Sequence, residues 1–181
     1  MKRIGLFCGG FSSEYAISIL SANTIQANFP KTFEVVKIVV SKDQWLVEFQ
    51  GTSVPFDLNT CQFTHEGIQH KIDVGLVYIH GNPGENGKIQ AFLDMHEIPY
   101  LNAGPLASSL SFDKWYCNQF LRGFGLDVAK SQRFHFGQPI DAAALVENLG
   151  LPLFVKPSDS GSSYGISKVK SLDEVQKAFD I

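Results

Sequence analysis

VGLVYIHGNPGENGKIQ, residues 74–90, decides the fold. Val74 to Ile79 is an apolar, β-branched run of strand length. The backbone then turns through His80, Gly81, Gly84 and Gly87, with one carboxylate, Glu85, and a helical pattern follows. Glycines in such a turn let main chain approach a ligand, because no Cβ intervenes. An imidazole and a carboxylate flank that approach. Strand end, tight loop and helix start are the site geometry of an open α/β sheet.

Working outward, Ile4–Cys8 is a short apolar run closed by Gly9-Gly10, a buried strand. Ser12 and Ser13 can cap a helix, and Glu14 falls in its first turn, where a carboxylate suits the dipole. Ile17, Leu20, Ile25 and Phe29 supply the apolar face, and Pro30 closes the segment. Glu34–Val40 is the next strand, so the order implies a right-handed parallel crossover. Gln44–Phe49 reads as a strand, and the rest of 44–72 as a peripheral β-hairpin and loop. After Val74–Ile79, the residues Ile89, Phe92, Leu93 and His96 share a helix face, and Ile98–Leu101 is a short fourth strand. Cys8-Gly9-Gly10, His80-Gly81 and Asn102-Ala103-Gly104 all follow strands. In a parallel sheet those ends lie on one edge, so three loops distant in sequence are expected to converge on one crevice.

Pro105 opens a further helix, expected from Leu106 to about Gly123 and containing Asp113-Lys114. The pattern then changes, and a domain boundary is expected near residue 113. Val128–Phe136 reads as a strand and Ala142–Asn148 as a helix. Leu151–Val155 and Tyr164–Val169 read as strands, and Leu172–Phe179 as a helix start. Between those strands lies Lys156-Pro-Ser-Asp-Ser-Gly-Ser-Ser163. N–H groups in a glycine-containing turn converge on an anion, hydroxyls add donors, and a lysine supplies a compact charge. No GxxxxGK[ST] loop occurs, and no GxGxxG follows the first strand. The last helix carries no exit signal up to Ile181, which leads to the expectation that this chain is part of something longer.

Fifteen phenylalanines among 181 residues promise a well-filled core. A net charge of −3 and a pI of about 5.9 argue against sequence-independent nucleic-acid binding, which needs a basic excess. Three widely spaced cysteines without a CxxC pair suggest neither a disulfide framework nor a zinc site. No stretch has the length and apolarity of a signal peptide or a membrane span, so a cytoplasmic location is expected.

Taken together, three stretches resemble the D-alanine–D-alanine ligases of the ATP-grasp superfamily. GGFSSEYAIS (9–18) is similar to the family's GGxSxExxxS signature. HGNPGENGKIQAFLDMHEIPYLNAG (80–104) is similar to its HGxxGExGxIQ…IPY block. FDK (112–114) with FVKPSDSGSSYGISKV (154–169) is similar to the start of its ATP-binding domain. The fold implied is α/β: a Rossmann-like parallel-sheet (pre-ATP-grasp) domain over 1–113 that binds substrate, then the first, incomplete part of an α+β ATP-grasp domain over 114–181. Asn86 stands where the family usually has Asp, Phe112 where Met is common, and Leu101-Asn102-Ala103 where Thr/Ser-Gly-Ser is usual.

The resemblance implies a ligase that phosphorylates the carboxylate of one D-alanine with ATP and lets the amine of a second attack the acyl phosphate. The dipeptide then serves peptidoglycan. Glu14 is expected to receive the first substrate's ammonium group, and Ile17 to bound its methyl. Ser18 is expected to be structural. His80 is expected near the substrate carboxylate, with Glu85 holding His80 or its neighbourhood. Ser162 is expected to bond Glu14 and help close the site. Lys114, Lys156, Gly161 and Ser163 are expected on the ATP phosphates. Mg²⁺ is expected with ATP, its acidic ligands lying beyond Ile181. The resemblance further implies a homodimer, and a 181-residue piece that does not ligate alone. Two alternatives stay open: another ATP-grasp ligase, such as a D-alanine–D-lactate ligase, and a non-catalytic small-molecule-binding module.

Overall fold

A computed structural model describes residues 1–161 and 164–180. Their contacts divide the chain into two compact units, Met1–Ser109 and Leu110–Ile181.

In the first unit, β1 (Lys2–Gly9) leads into α1 (Tyr15–Asn28) and then β2 (Phe33–Val40), which pairs parallel with β1. β7 (Val74–Val77) pairs parallel with the other side of β1. Both edges of β1 are therefore paired, and its residues from Ile4 to Gly9 are all buried. Leu6 and Cys8 pack with Ala22 of α1, while Phe7 points into the larger core on the opposite face.

The segment 44–72 is more than the expected hairpin and loop. It forms β3 (Trp45–Phe49), β4 (Thr52–Asp57), β5 (Gln62–His65) and β6 (Ile68–Lys71), an antiparallel meander continuing the main sheet. The strand order is β6-β5-β4-β3-β2-β1-β7. Three strand steps of about 4.8 Å would hold β4 roughly 14 Å from β1 in a flat sheet. The rings of Phe56 (β4) and Phe7 (β1) nevertheless lie 6.1 Å apart, so the sheet curls and the meander closes over the core. Trp45 bridges the fold-over, 6.0 Å from Phe7 and 5.2 Å from Phe92. Phe92 belongs to α2 (Lys88–Met95), whose Ile89 and Leu93 are buried in the same core.

The covered face of α1 also differs from the expectation. Ser18 and Ala22 are its buried residues, whereas Ile17 and Leu20 are 53% and 67% exposed. The expected fourth strand, 98–101, shrinks to a single parallel bridge, Gly75 with Tyr100.

The expected long helix after Pro105 is two: α3 (Pro105–Phe112) and α4 (Lys114–Gly123). Asp113 breaks it, because its carboxylate caps α4 by accepting from the N–H groups of Trp115 and Tyr116. In the second unit, α5 (Ala142–Leu149) precedes β8 (Leu153–Val155), which pairs antiparallel with β9 (Ser167–Val169), and α6 (Glu174–Phe179) follows. Leu145, Leu153, Val169 and Val175 make its core. The expected strand 128–136 is irregular backbone; a strand exists only by pairing, and β8 and β9 pair with each other.

Candidate functional site

At the C-terminal ends of β1 and β7, two loops of the first unit are stitched together. Gly9 and Gly10 have φ of +88° and +100°, so the chain leaves β1 in a conformation that favours glycine. A Cβ on Gly10 would collide with Ile79. The next N–H, of Phe11, donates to the carbonyl of Asn82 (2.8 Å), and the Ser12 hydroxyl donates to the carbonyl of His80 (2.7 Å). Ser12 Oγ also accepts from Glu14 N–H (3.2 Å), which turns the chain into α1. Ser18 adds a buried link: its hydroxyl accepts from Gly9 N–H (2.9 Å) and donates to the carbonyl of Tyr78 (2.5 Å).

These bonds bring the Glu14 and His80 segments to one edge of the sheet. Glu14 is half-buried at the N-cap of α1, and its carboxylate makes no bond to the helix's own N–H groups. His80 is half-buried, edge-on to the Tyr78 ring at 5.5 Å. Glu85 accepts the Gly81 N–H at 2.6 Å, so its carboxylate grips the main chain directly after His80. Ile17 presents its side chain outward from the first turn of α1. The loop closes through Glu85 N–H to Gly81 carbonyl (2.8 Å) and Gln90 Nε2 to Gly84 carbonyl (3.0 Å). Gly87, with φ +79°, packs on Pro105: a Cβ there would lie 2.5 Å from the Pro105 carbonyl oxygen.

The second unit builds its own constellation. Lys114 Nζ donates to the carbonyls of Ser160 (2.6 Å) and Ser158 (3.4 Å), and Lys114 N–H donates to the Ser158 carbonyl (2.9 Å). The Ser158 hydroxyl donates to Asp113 (2.6 Å). The loop after β8 is thereby fastened to the start of α4. Burial pushes the Asp113 carboxyl up, but Ser158, the N–H groups of Tyr116 and Trp115, and the Arg133 charge outweigh it and hold the pKa below the usual value. Lys156 is exposed just past β8, and Gly161 is half-buried in the loop, which closes with Tyr164 N–H on the Gly161 carbonyl (3.0 Å). Ser162 and Ser163, the remaining expected site residues, lie outside the described residues.

A cavity of about 720 Å³ opens beside this loop. Lys114, Lys130, Arg133 and Lys156 give it positive charge, and Trp115 and Phe154 give it flat apolar walls. That lining suits a polyanion carrying an aromatic ring. Sequence reading missed Lys130 and Arg133, which sit in irregular backbone where no periodicity marks them. It also missed the clamp Ser12–His80, whose only signal is a serine one turn before a helix. No group of three His, Cys, Asp or Glu side chains among the described residues could hold a metal ion. Likewise no described helix is long and apolar enough to cross a membrane.

Residues 3–103 match a family profile described as D-ala D-ala ligase N-terminus, and residues 120–181 one described as D-ala D-ala ligase C-terminus. A D-alanine--D-alanine ligase of Parabacteroides distasonis is 39% identical over 179 residues, covering 98% of this chain and 54% of that protein. One from Porphyromonas gingivalis W83 is 38% identical over 189 residues, covering 99% and 57%. Among solved structures, D-alanyl-alanine synthetase A of Vibrio cholerae superposes with a TM-score of 0.86 at 33% identity, over 99% of this chain and 55% of that one. The VanG D-Ala:D-Ser ligase of Enterococcus faecalis gives 0.83 at 27% identity, over 99% and 58%. A Bacillus anthracis D-alanine--D-alanine ligase complexed with ATP gives 0.76 at 28% identity, over 99% and 55%. The chain spans about half the length of the curated relatives it matches.

Proposed function

Since the chain belongs to the D-alanine–D-alanine ligase family, we propose that it supplies the first-substrate loops and the phosphate loop of an ATP-dependent enzyme that joins two D-alanines for peptidoglycan. The observation that carries this reading is the stitching of the Glu14 and His80 segments through Ser12 and Ser18. It sets a carboxylate and an imidazole at one sheet edge, the two groups needed to orient a small zwitterion.

The chemistry follows from charge. A carboxylate is a poor acyl donor until one oxygen carries a good leaving group. Glu14 receives the ammonium of the first D-alanine as a charge-assisted pair. His80 orients the carboxylate whose oxygen attacks the terminal phosphorus of ATP, and the bond from that phosphorus to its bridging oxygen breaks as ADP leaves. Glu85 acts through Gly81, keeping that imidazole in place. Ile17 bounds the methyl group. Lys114, Lys156, Gly161 and Ser163 neutralise and position the phosphates, which is most of what phosphoryl transfer requires. The second amine then attacks the acyl carbon, and the C–O bond to phosphate breaks as the C–N bond forms. Magnesium belongs to this reading as the partner of ATP; the described residues offer it no ligand set, and the steps above run through lysines and main chain. Residues 1–113 form the substrate-binding domain and 114–181 the start of the nucleotide-binding domain. The enzyme works in the cytoplasm as a homodimer.

The test is phosphate released from ATP by the protein produced from its whole reading frame, with D-alanine as sole amino acid. Glu14→Gln removes a charged partner worth about 1.5–3 kcal/mol, which raises the KM for D-alanine roughly 10- to 100-fold and leaves that for ATP unchanged. Release that is independent of D-alanine overturns the reading. One of the similar solved structures is a D-Ala:D-Ser ligase, so the second substrate is tested directly. A panel of D-alanine, D-serine and D-lactate in the second site supplies that test.

A further inference from the structure

Asn102 holds a position that the chemistry above leaves without a role. The strand-like segment before it pairs with β7 at one point only. There, Gly75 N–H donates to the Pro99 carbonyl (2.8 Å) and Leu101 N–H donates to the Gly75 carbonyl (3.0 Å). In a parallel ladder the next two bonds on that flank fall on Val77, its N–H meeting the carbonyl of residue 101 and its carbonyl the N–H of residue 103. The main chain turns away instead, toward α3. The carboxamide of Asn102 takes both places: Val77 N–H donates to its Oδ1 (2.7 Å), and its Nδ2 donates to the Val77 carbonyl (2.9 Å). A primary amide carries the donor and the acceptor of a peptide in one plane, so it completes the ladder for one more residue. Val77 is buried, and without that amide both its polar groups lose their partner on this flank.

His80 lies three residues beyond this bond pair. Along the way Tyr78 N–H donates to the Phe7 carbonyl, and Ser18 takes the Tyr78 carbonyl. Ser12 takes the His80 carbonyl, and Glu85 the Gly81 N–H. Ser18 and Ser12 come from the β1–α1 side. Asn102 is the side chain that holds the opposite, open flank. We propose that Asn102 is a positioning residue for His80, a side-chain surrogate for the missing strand that fixes the exit of β7. This deepens the substrate reading given above and rests on it for its functional meaning.

The test is amide hydrogen exchange, read by NMR on the 181-residue chain. Asn102→Ala is expected to lower the protection of Val77 about tenfold, by loss of its acceptor, and to lower Gly81 with it. Asn102→Asp adds a signature that space-filling cannot give. Ionised, the introduced carboxyl keeps an acceptor for Val77 N–H but sets a negative oxygen against the Val77 carbonyl. Protonated, it regains a donor and reproduces the amide. Its neutral form is therefore favoured, its pKa is raised, and Gly81 protection recovers as the pH falls through that value. The Glu85 carboxylate accepts the Gly81 N–H in every chain, so the recovery is read as the difference from wild type and Asn102→Ala at each pH. Recovery in Asn102→Asp also shows that this variant folds. A flat difference for Asn102→Asp, or Gly81 protection unmoved in Asn102→Ala, overturns the proposal. Titration with D-alanine then shifts the His80 and Gly81 amides in wild type at lower concentration than in Asn102→Ala. If D-alanine moves no amide of wild type, the substrate reading fails while Gly81 protection still decides the role of Asn102.

Discussion

Replacing Asp113 by alanine removes three hydrogen bonds at one point. Oδ1 accepts from the N–H groups of Trp115 and Tyr116, both at 3.0 Å, and from the Ser158 hydroxyl at 2.6 Å. The first two cap α4, a contribution of about 1 kcal/mol. The third is a bond to a charged acceptor, about 1.5–3 kcal/mol when only one partner is deleted. The expected loss is therefore about 2.5–4 kcal/mol, in a unit whose buried core is Leu145, Leu153, Val169 and Val175. Against a typical domain stability of about 5–15 kcal/mol, that is a large share. The control, Asp113→Asn, keeps a competent cap and a neutral bond to Ser158, and should lose about 1 kcal/mol. The sign of the pH effect is fixed by the depressed pKa of Asp113. Its stabilisation is complete above the unfolded value of about 3.9 and is lost as pH falls through the lower folded value. The gap between wild type and Asp113→Asn should therefore close in acid. Urea denaturation followed by Trp115 fluorescence in a Trp45→Phe background measures all three chains at pH 7 and in acid. Equal midpoints for the Ala and Asn variants at pH 7, or a gap that acid leaves unchanged, would refute this account of the cap.

Gly87→Ala is expected to destabilise the first unit by about 1–3 kcal/mol, since φ is +79° and the new Cβ would sit 2.5 Å from a backbone oxygen of Pro105. Gly123→Ala, with nothing within 4 Å of the added Cβ and a helical backbone, is the control and should be neutral or stabilising; urea melts read at Trp45 for the first unit and at Trp115 for the second measure the two. Burial pushes the Cys8 thiol up to about 12 and the Cys61 thiol to about 11. At pH 8 both stay protonated, so a thiol reagent should modify one cysteine, Cys117, in the folded chain and all three only after denaturation. Three equal rates would contradict the burial.

The parallel heart of the fold was legible because its strands are buried on both faces. Ile4–Cys8 and Val74–Ile79 are apolar without interruption, and after Glu34 the run Val35–Val40 is broken only by Lys37, a pattern that hairpins do not share. In the segment 44–72, β3 was legible as the strand Gln44–Phe49, but the three strands after it were not, because β4 to β6 are largely polar and carry few inward anchors. β4 buries Phe56 alone, and β5 turns Phe63 and His65 inward between polar neighbours. Those anchors acquire meaning only in the fold, where Phe56 meets Phe7 and where Phe63 and His65 meet Phe49. The outward face of α1 misled for a related reason: the surface that meets the sheet is Ser18 and Ala22, small residues that let the helix lie close. A structural role for Ser18 is legible in the sequence, but its two bond partners are not, since Gly9 and Tyr78 reach it only through the fold. The strand expected at 98–101 failed for want of length, its next rung being a side chain at Asn102. The cap at Asp113 was visible as a residue and invisible as a break, since an aspartate in a helical run signals a new start only once its carboxylate is seen to bond N–H groups two and three residues on.

Each unit holds its own candidate loops from within. Ser12, Ser18, Glu85 and Asn102, the side chains that fix the loops around Glu14 and His80, all fall within residues 1–109. Asp113, Lys114 and Ser158, which fasten the loop after β8, all fall within the second unit. Every one of these bonds ends on main chain or on a neighbour in the same unit. The loop geometry on each side is thus set by local folding, before any substrate arrives. That is the condition under which binding energy is free to orient reacting groups, since little of it goes into ordering the protein. The loops around Glu14 and His80 and the loop after β8 are then separable features of this sequence. Substitutions at Asn102 and at Asp113 should disturb one each, and a double variant should show their effects adding within about 0.5 kcal/mol.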